Sequence, residues 1–177
     1  MRSVYYLLLL GVLLGTAALI TRSGILARKN SGRPINSAMR EAMNAQNPQL
    51  STNDEMLINQ TYGNAHKLPS GLRYVVRRAG TGDATPGLGQ ELICHYDGRL
   101  LDGTPFDSSY RRGAPYTFRI GTGAVIRGWD DGFATMRKGE KRTLIVPHWL
   151  AYGEKGRPPT IPPKATLIFE VELLDWR

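Results

Sequence analysis

The sequence predicts an α+β domain in which an antiparallel, strongly curved β-sheet wraps around one short amphipathic helix. Short apolar and polar alternations recur through the C-terminal part of the chain, as in strands that bury one face. The 20 Gly and 11 Pro among 177 residues favour many turns over a long helical bundle. Residues 128–136 alone combine helical spacing with an apolar face, so this segment is expected to cover the buried side of the sheet. We also expect an N-terminal apolar helix and a polar tether ahead of this domain.

The chain opens with an apolar run. Residues 4–20 are almost unbroken apolar residues after Arg2, and about 17 residues is the short limit for a helix that spans a bilayer. We predict that residues 1–20 are an uncleaved membrane anchor. A cleaved signal peptide is the alternative, although residues 15–18 only loosely resemble a cleavage site. A buried core helix is disfavoured because the run has no polar face.

The sequence leaves the side of the membrane open. Four basic residues follow the apolar run, namely Arg22, Arg28, Lys29 and Arg33. The positive-inside rule would therefore keep the C-terminal domain in the cytoplasm. An N-terminal apolar segment usually acts as an export signal, which favours the periplasm or another exported compartment, and cleavage would release a secreted protein.

Residues 21–66 are expected to form a polar linker with short helices. Their composition is rich in Asn, Gln, Ser and Gly. Thr52 to Glu55 matches the S/T-x-x-E capping pattern in front of a short apolar stretch. Solvated linker helices are favoured here over helices that pack on the following domain or on a partner.

Residues 67–177 carry the strand signals. Three alternating series are expected to point into one core: Leu72, Tyr74 and Val76, then Leu92, Cys94 and Tyr96, and finally Leu167, Phe169, Val171 and Leu173. Asp97-Gly98 and Asp102-Gly103 are predicted turns.

The helix that covers this sheet is predicted at residues 128–136. Trp129, Phe133 and Met136 recur at the spacing of one helical face. Asp130 and Asp131 lie near the start of the segment, where acidic residues favour a helix N-terminus.

Charge and cysteine usage exclude several classes of function. The formal net charge is +8, but Lys and Arg are spread along the chain, which indicates a solvated basic surface and no nucleic-acid partner. Cys94 is the only cysteine and excludes an internal disulfide and a cysteine-based zinc site. The three histidines lack metal-ligand spacing, so we predict no metal and no cofactor.

Six short strings occur in a fixed order through this region. They are HYDG at 95–98, DG at 102–103 followed by FDSS at 106–109, VIRGW at 125–129, GFATM at 132–136 with Gly139, AYG at 151–153, and IPP at 161–163 leading into ATLIFEVEL at 165–173. The ordered set resembles the FKBP-type peptidyl-prolyl cis-trans isomerases. Residues 67–177 are therefore identified as a domain of this type, while the resemblance covers nothing of residues 1–66.

The resemblance implies an enzyme that rotates X-Pro peptide bonds without a covalent step, inside an apolar pocket. It implies six catalytic residues: Tyr96, Phe106, Asp107, Trp129, Tyr152 and Phe169. It also implies five substrate-binding residues: Arg112, Tyr116, Val125, Ile126 and Ile161. In this view Trp129 is the floor beneath the prolyl ring and Asp107 is a pocket carboxylate. The Tyr152 hydroxyl and the Ile126 N–H would donate to carbonyl groups on either side of the proline.

Four positions depart from the commonest pattern of that family, and all are expected at the rim of the pocket. They are Ala124 in place of an acid, Tyr116 in place of Phe, Arg157 in place of His and Thr160 in place of Ile. We expect isomerase activity to persist, with weaker binding of macrolide inhibitors.

Two other functions compete with catalysis of folding. A tethered chaperone module could bind prolyl peptides with little turnover, and the sequence does not exclude slow catalysis. A structural protein of a membrane surface would explain the net charge but not the ordered pocket residues. The expected partners are X-Pro polypeptides, macrolide inhibitors and, through the N-terminal segment, a membrane.

Overall fold

Seven antiparallel strands form one sheet in the computed structural model, which describes residues 48–177. The strands are β1 (His66–Lys67), β2 (Arg73–Arg78), β3 (Glu91–Leu100), β4 (Pro105–Ser108), β5 (Tyr116–Arg119), β6 (Lys141–Val146) and β7 (Leu167–Trp176). The sheet order is β1-β2-β6-β7-β3-β4, and β5 pairs with β3 off this path. Helix α1 (Thr52–Tyr62) precedes the sheet, helix α2 (Arg127–Phe133) lies between β5 and β6, and a 3₁₀ turn spans His148–Leu150. The predicted α+β class is confirmed.

Helix α2 covers one face of the sheet, as predicted. Trp129 and Phe133 are buried on it, and Met136 is fully buried although the helix ends three residues before it. Gly128 and Gly132 allow the helix to approach β6 closely. A Cβ atom on Gly128 would lie 2.4 Å from a Val146 methyl group, a separation that real side chains do not reach.

A buried ion pair attaches the end of α2 to the sheet. The Arg142 Nε of β6 donates to Glu140 at 2.5 Å, and both side chains are 6% exposed. The same guanidinium donates to the Gly132 carbonyl at 3.1 Å and to the Thr135 carbonyl at 2.8 Å. Carbonyl groups at the C-terminal end of a helix lack intrahelical donors and carry partial negative charge, so a cation there is stabilising. The Arg142 contacts therefore stabilise the end of α2.

The opposite face of the sheet is covered by α1. Ile58 is fully buried and Tyr62 is 9% exposed, and both pack against Val75, Ile145 and Ile168. The expectation of a solvated linker helix at this position is therefore wrong. The compact unit that contains the sheet begins at Gln49.

Polar contacts hold α1 in place. Ser51 caps the helix and accepts from the Asp54 N–H at 3.0 Å, one residue before the cap that the sequence pattern suggested. Arg73 of β2 donates to Glu55 at 2.6 Å, and Thr166 donates to Asp54 at 2.7 Å. Helix α1 is therefore joined both to β2 and to the segment that leads into β7.

Burial of both sheet faces changes the expected pattern in β2. Leu72 is fully buried and Tyr74 is half-buried, but Val76 is 42% exposed and Val75 is buried instead. The prediction for Val76 is therefore wrong, and Val75 is buried instead on the opposite face, which α1 covers. The alternating residues of β3 and β7 are buried as expected, including Cys94.

The two predicted turns have different outcomes. Asp102-Gly103 is a turn, and Gly103 has a φ of 92°. Asp97-Gly98 lies inside β3 and is paired with both β4 and β7, so that prediction is wrong. A Cβ atom on Gly98 would lie 2.8 Å from the Phe106 ring and 2.9 Å from the Phe169 ring. Gly98 is therefore required for the close approach of two aromatic rings and not for a turn.

The predicted anchor at residues 1–20 and most of the predicted linker lie outside the described residues. Within residues 48–177, none of the helices has the length and apolar character needed to cross a membrane.

Candidate active site

A pocket of about 340 Å³ opens where α2, β3, β4, β5 and β7 meet. Its walls also include the segment before α2 and the loop that follows the 3₁₀ turn. The lining residues are Tyr96, Phe106, Asp107, Arg112, Tyr116, Ala124, Val125, Ile126, Trp129, Tyr152, Arg157 and Phe169. Most of these side chains are aromatic or aliphatic, so the pocket suits an apolar group of moderate size.

Trp129 forms the floor and is fixed by rings that meet it edge to face. The Tyr96 ring centroid lies 4.8 Å from that of Trp129 at an interplanar angle of 77°, and Phe169 lies 5.3 Å away at 83°. Edge-to-face contacts at these separations are attractive. The Trp129 side chain is buried, and its Nε1 has no hydrogen-bond partner among the described residues. The floor is therefore an aromatic surface held in place by neighbouring rings.

Phe106 and Phe169 complete one wall. Their ring centroids lie 5.5 Å apart at 88°. Gly98 permits this arrangement, because any larger residue would displace both rings.

Asp107 is the one carboxylate in the pocket, and three groups donate to it. The Tyr96 hydroxyl donates to Oδ2 at 2.6 Å, the Ser108 N–H donates to Oδ1 at 2.8 Å, and Arg112 forms an ion pair with Oδ1. Arg112 also donates to the Tyr96 hydroxyl oxygen at 2.5 Å. The three side chains form a closed network at one edge of the pocket.

This network keeps Asp107 ionised. Partial burial acts to raise the pKa of its carboxyl group, but the hydrogen bond from Tyr96 and the charge of Arg112 outweigh it and lower the pKa below its usual value. Burial and the hydrogen bond to Asp107 raise the pKa of Tyr96 to about 12. At neutral pH the site therefore presents a carboxylate and a neutral phenol, and neither supplies an acid or a base near pH 7.

The serines beside Asp107 have structural roles. Ser109 is fully buried, and its Oγ accepts from the Tyr96 N–H at 2.8 Å and donates to the Tyr96 carbonyl at 3.2 Å. Ser108 is 3% exposed, and its Oγ accepts from the Arg111 N–H at 3.3 Å. Ser109 Oγ also lies 2.9 Å from His95 Nδ1, so these contacts hold β3 against the chain that follows β4.

Two residues of the lining, Ile126 and Tyr152, each have a donor without a hydrogen-bond partner among the described residues. Ile126 precedes α2 in an extended conformation with φ −64° and ψ 146°, and its carbonyl accepts from the Trp129 N–H at 2.9 Å. Its own N–H takes part in none of the hydrogen bonds within residues 48–177, and neither does the Tyr152 hydroxyl. Both groups are available to a peptide carbonyl.

The structure brings together all but one of the residues that the sequence assigned to the site. The exception is Ile161, which is 3% exposed and packs in the main core. Its side chain is not among those that line the pocket, so the assignment of Ile161 to substrate contact stays a prediction. Its backbone instead pairs with that of Arg157, which does line the pocket.

Ala124 and Arg157 belong to the lining although the predicted site residues did not include them. Both were recognised in the sequence as departures at the rim. Ala124 could have been included because it is adjacent to Val125. Arg157 could have been included because it lies in the short loop after Tyr152.

Comparison with known proteins identifies a family that this chain matches. Residues 82–174 match the family model described as FKBP-type peptidyl-prolyl cis-trans isomerase. The chain is 57% identical over 86 residues to human peptidyl-prolyl cis-trans isomerase FKBP2, which covers 49% of this chain and 61% of that protein. It is 53% identical over 107 residues to FK506-binding protein 4 of Dictyostelium discoideum, covering 60% of this chain and 29% of that protein. The chain thus spans about three fifths or less of the length of these relatives.

A solved structure shares the fold. The crystal structure of AtFKBP13 superposes with a TM-score of 0.60 at 41% sequence identity, covering 64% of this chain and 98% of that one.

Proposed function

The chain belongs to the FKBP-type peptidyl-prolyl cis-trans isomerase family, and we propose that its pocket accelerates cis/trans rotation of X-Pro bonds in client polypeptides and so assists their folding. One observation carries the proposal. One pocket is lined by the aromatic surface of Trp129, by an ionised Asp107, and by Ile126 and Tyr152, whose N–H and hydroxyl have no hydrogen-bond partner within the described residues. No nucleophile or metal is needed for this reaction.

The chemistry follows from the nature of the barrier. Rotation about the amide bond breaks its resonance and costs about 18–20 kcal/mol. A twisted amide has a less dipolar carbonyl than a planar one, so a dry apolar pocket favours the twisted form over the ground state. A millionfold acceleration would require about 8 kcal/mol of such preference.

The polar groups then have distinct roles. The Tyr152 hydroxyl and the Ile126 N–H bind carbonyl groups on either side of the proline and hold the chain while the bond turns. The Asp107 carboxylate lies beside the rotating amide and disfavours the negative charge that resonance places on its carbonyl oxygen. Tyr96 and Arg112 position that carboxylate and keep it ionised.

The test is the cis-to-trans rate of a short X-Pro peptide with the full chain. Asp107→Asn keeps the shape but removes the charge, and we expect kcat/KM to fall about tenfold or more. Tyr152→Phe removes one neutral hydrogen bond, and a loss of about two- to tenfold is expected. Two substitutions are the matched controls. Asp83→Asn changes a side chain that is 98% exposed, and Tyr110→Phe changes a residue outside the pocket lining.

Peptide binding without acceleration would contradict catalysis. That outcome would favour the tethered chaperone module, which binds prolyl segments with little turnover. Equal losses in the control variants would show that the pocket assignment is wrong.

Macrolide inhibitors are proposed ligands of the same pocket. The apolar floor and the two free donors support this, whereas Ala124 and Arg157 alter the rim and support weaker binding. Competition of a macrolide against the peptide in the rate assay tests the proposal, and a full rate at saturating macrolide would refute it.

We further propose that residues 1–20 anchor the protein in a membrane, with the domain in an exported compartment. The apolar run of residues 4–20 supports the anchor. Extraction of membranes with alkaline carbonate tests it, because an anchored chain stays in the pellet. Protease treatment of sealed membranes then reports the side on which the domain lies, and recovery of the chain in the soluble fraction would refute the anchor.

A further inference from the structure

Three charged side chains line the pocket, and two of them neutralise each other. Asp107 pairs with Arg112, as described above. The third is Arg157, and none of the ion pairs within residues 48–177 includes it. The pocket wall therefore carries one uncompensated positive charge.

The backbone at Arg157 is closely held by the neighbouring chain. Arg157 and Ile161 exchange two backbone hydrogen bonds of 2.8 and 3.0 Å, and Ile161 is anchored in the core. The preceding Gly156 has a φ of 65°, and a Cβ atom there would lie 2.3 Å from the Pro162 carbonyl oxygen. The Arg157 guanidinium carbon lies 5.9 Å from the centre of the Tyr152 ring. The loop backbone is therefore tight, and the guanidinium lies beside Tyr152, a proposed donor to the substrate.

The surroundings leave the charge available to a ligand. Arg157 is exposed, and Ala124 presents only a methyl group to the pocket. The neighbouring acid Glu154 is paired with Lys164 at 2.7 Å. Lys155 adds a further positive charge to the same loop. The rim on this side is therefore cationic.

A bound proline ring would lie on Trp129, so the side chains of its two neighbours would emerge at the rim. A carboxylate there would meet Arg157 without displacing an existing partner among the described residues. We propose that Arg157 makes the pocket selective for prolyl segments in which an acidic residue, Asp or Glu, is adjacent to the proline. This inference rests on the proposed isomerase function and specifies its substrate class.

The test compares peptides that differ only in charge. Two pairs place Glu or Gln directly before the proline and directly after it, and kcat/KM is measured for each with the full chain. We expect Glu to exceed Gln in at least one pair by about two- to fivefold, the range typical of an ion pair at an exposed site. The preference should shrink as salt is added, because salt screens exposed charges.

Variants separate the local charge from the overall charge of the protein. Arg157→Leu should bring the Glu/Gln ratio to about one, Arg157→Lys should retain it, and Arg157→Glu should invert it. Lys155→Leu removes the same charge from the same loop outside the lining and should leave the ratio unchanged.

Two results would overturn the inference. They are a Glu/Gln ratio near one in both peptide pairs, and a preference that survives Arg157→Leu or is lost equally in Lys155→Leu. Failure of the isomerase function is distinguishable, because the Gln peptides would then show no acceleration either.

Discussion

Asp107 shows how single contacts set the state of the site. Its carboxyl group is partly exposed, yet donors from Tyr96, Arg112 and its own neighbour Ser108 hold it ionised. Because its folded-state pKa is lowered, its contribution to stability is present above its unfolded pKa and is lost as pH falls through the folded value. The carboxylate that we assign to catalysis therefore persists well into the acid range.

The pH profile of kcat/KM tests this assignment. We expect Asp107 to cause no loss of activity between about pH 8 and about pH 5, since its pKa lies below the ordinary value of about 3.9. Arg112→Leu removes the paired cation, so the pKa of Asp107 should rise and the acid-side loss should begin at higher pH. Arg111→Leu, at the neighbouring arginine outside the pocket lining, is the control. An acid limb that Arg112→Leu does not move would contradict the assignment.

Gly98 is the second residue whose replacement is informative. Alanine there would force the Phe106 and Phe169 rings apart, because its Cβ atom would lie within 3 Å of both. Overpacking of this kind costs about 1–3 kcal/mol. We expect Gly98→Ala to lower both the free energy of unfolding and kcat/KM, as measured by urea titration and the peptide assay.

Gly87→Ala is the control for Gly98→Ala. Its Cβ atom would meet the Gln90 side chain at 3.5 Å, which is an ordinary contact. Equal effects of the two substitutions would show that ring packing at Gly98 is not the cause.

At the scale of elements, α1 determines how much of the sheet is protected. Without it, Val75, Ile145 and Ile168 would face solvent on the side opposite α2. Its apolar contact with the sheet depends largely on Ile58 and Tyr62, because Met56 and Leu57 point outward and are 67% and 39% exposed.

Truncation of Ile58 should therefore be costly. Ile58→Ala leaves a cavity between α1 and the sheet, and substitutions of this kind cost about 2–5 kcal/mol. Met56→Ala, on the exposed side of the same helix, should change stability by less than about 0.5 kcal/mol. Urea unfolding of both variants measures the difference, and a similar midpoint for the two would show that α1 does not pack as described.

At the scale of the whole molecule, the compact unit is longer than the region that resembles the family. A fragment of residues 49–177 keeps α1, whereas a fragment of residues 67–177 lacks it and exposes the apolar face of β2, β6 and β7. We expect the shorter fragment to unfold at lower urea concentration and to bind more of a hydrophobic dye. Identical urea midpoints for the two fragments would show that the stability of the sheet does not depend on α1.

The sequence was sufficient for most of the fold and for most of the site. Alternation located β3 and β7, and the spacing of Trp129, Phe133 and Met136 located α2, because each pattern reflects burial on one face. Alternation failed in β2, where both faces are covered and Val75 is buried against a helix that the sequence did not assign to the domain. Periodicity reports that a side chain is buried but not which element covers it.

The site residues were found from ordered strings, which locate a segment but not the direction of each side chain. Ile161 lies in such a string yet points into the core, while Arg157 reaches the pocket from the same backbone ladder. Gly98 was assigned to a turn because Asp-Gly commonly forms one. The two rings that require a glycine there are distant in sequence and meet only in the fold.

The packing of α1 on the sheet also shortens the linker between the proposed membrane anchor and the domain. If residues 21–66 were all free, a fully extended chain would reach about 150–165 Å from the bilayer. With residues 51–66 held by the domain, residues 21–50 alone remain, and the greatest reach falls to about 100–110 Å. A domain anchored in this way would serve client chains as they emerge close to the membrane and not those that have diffused away.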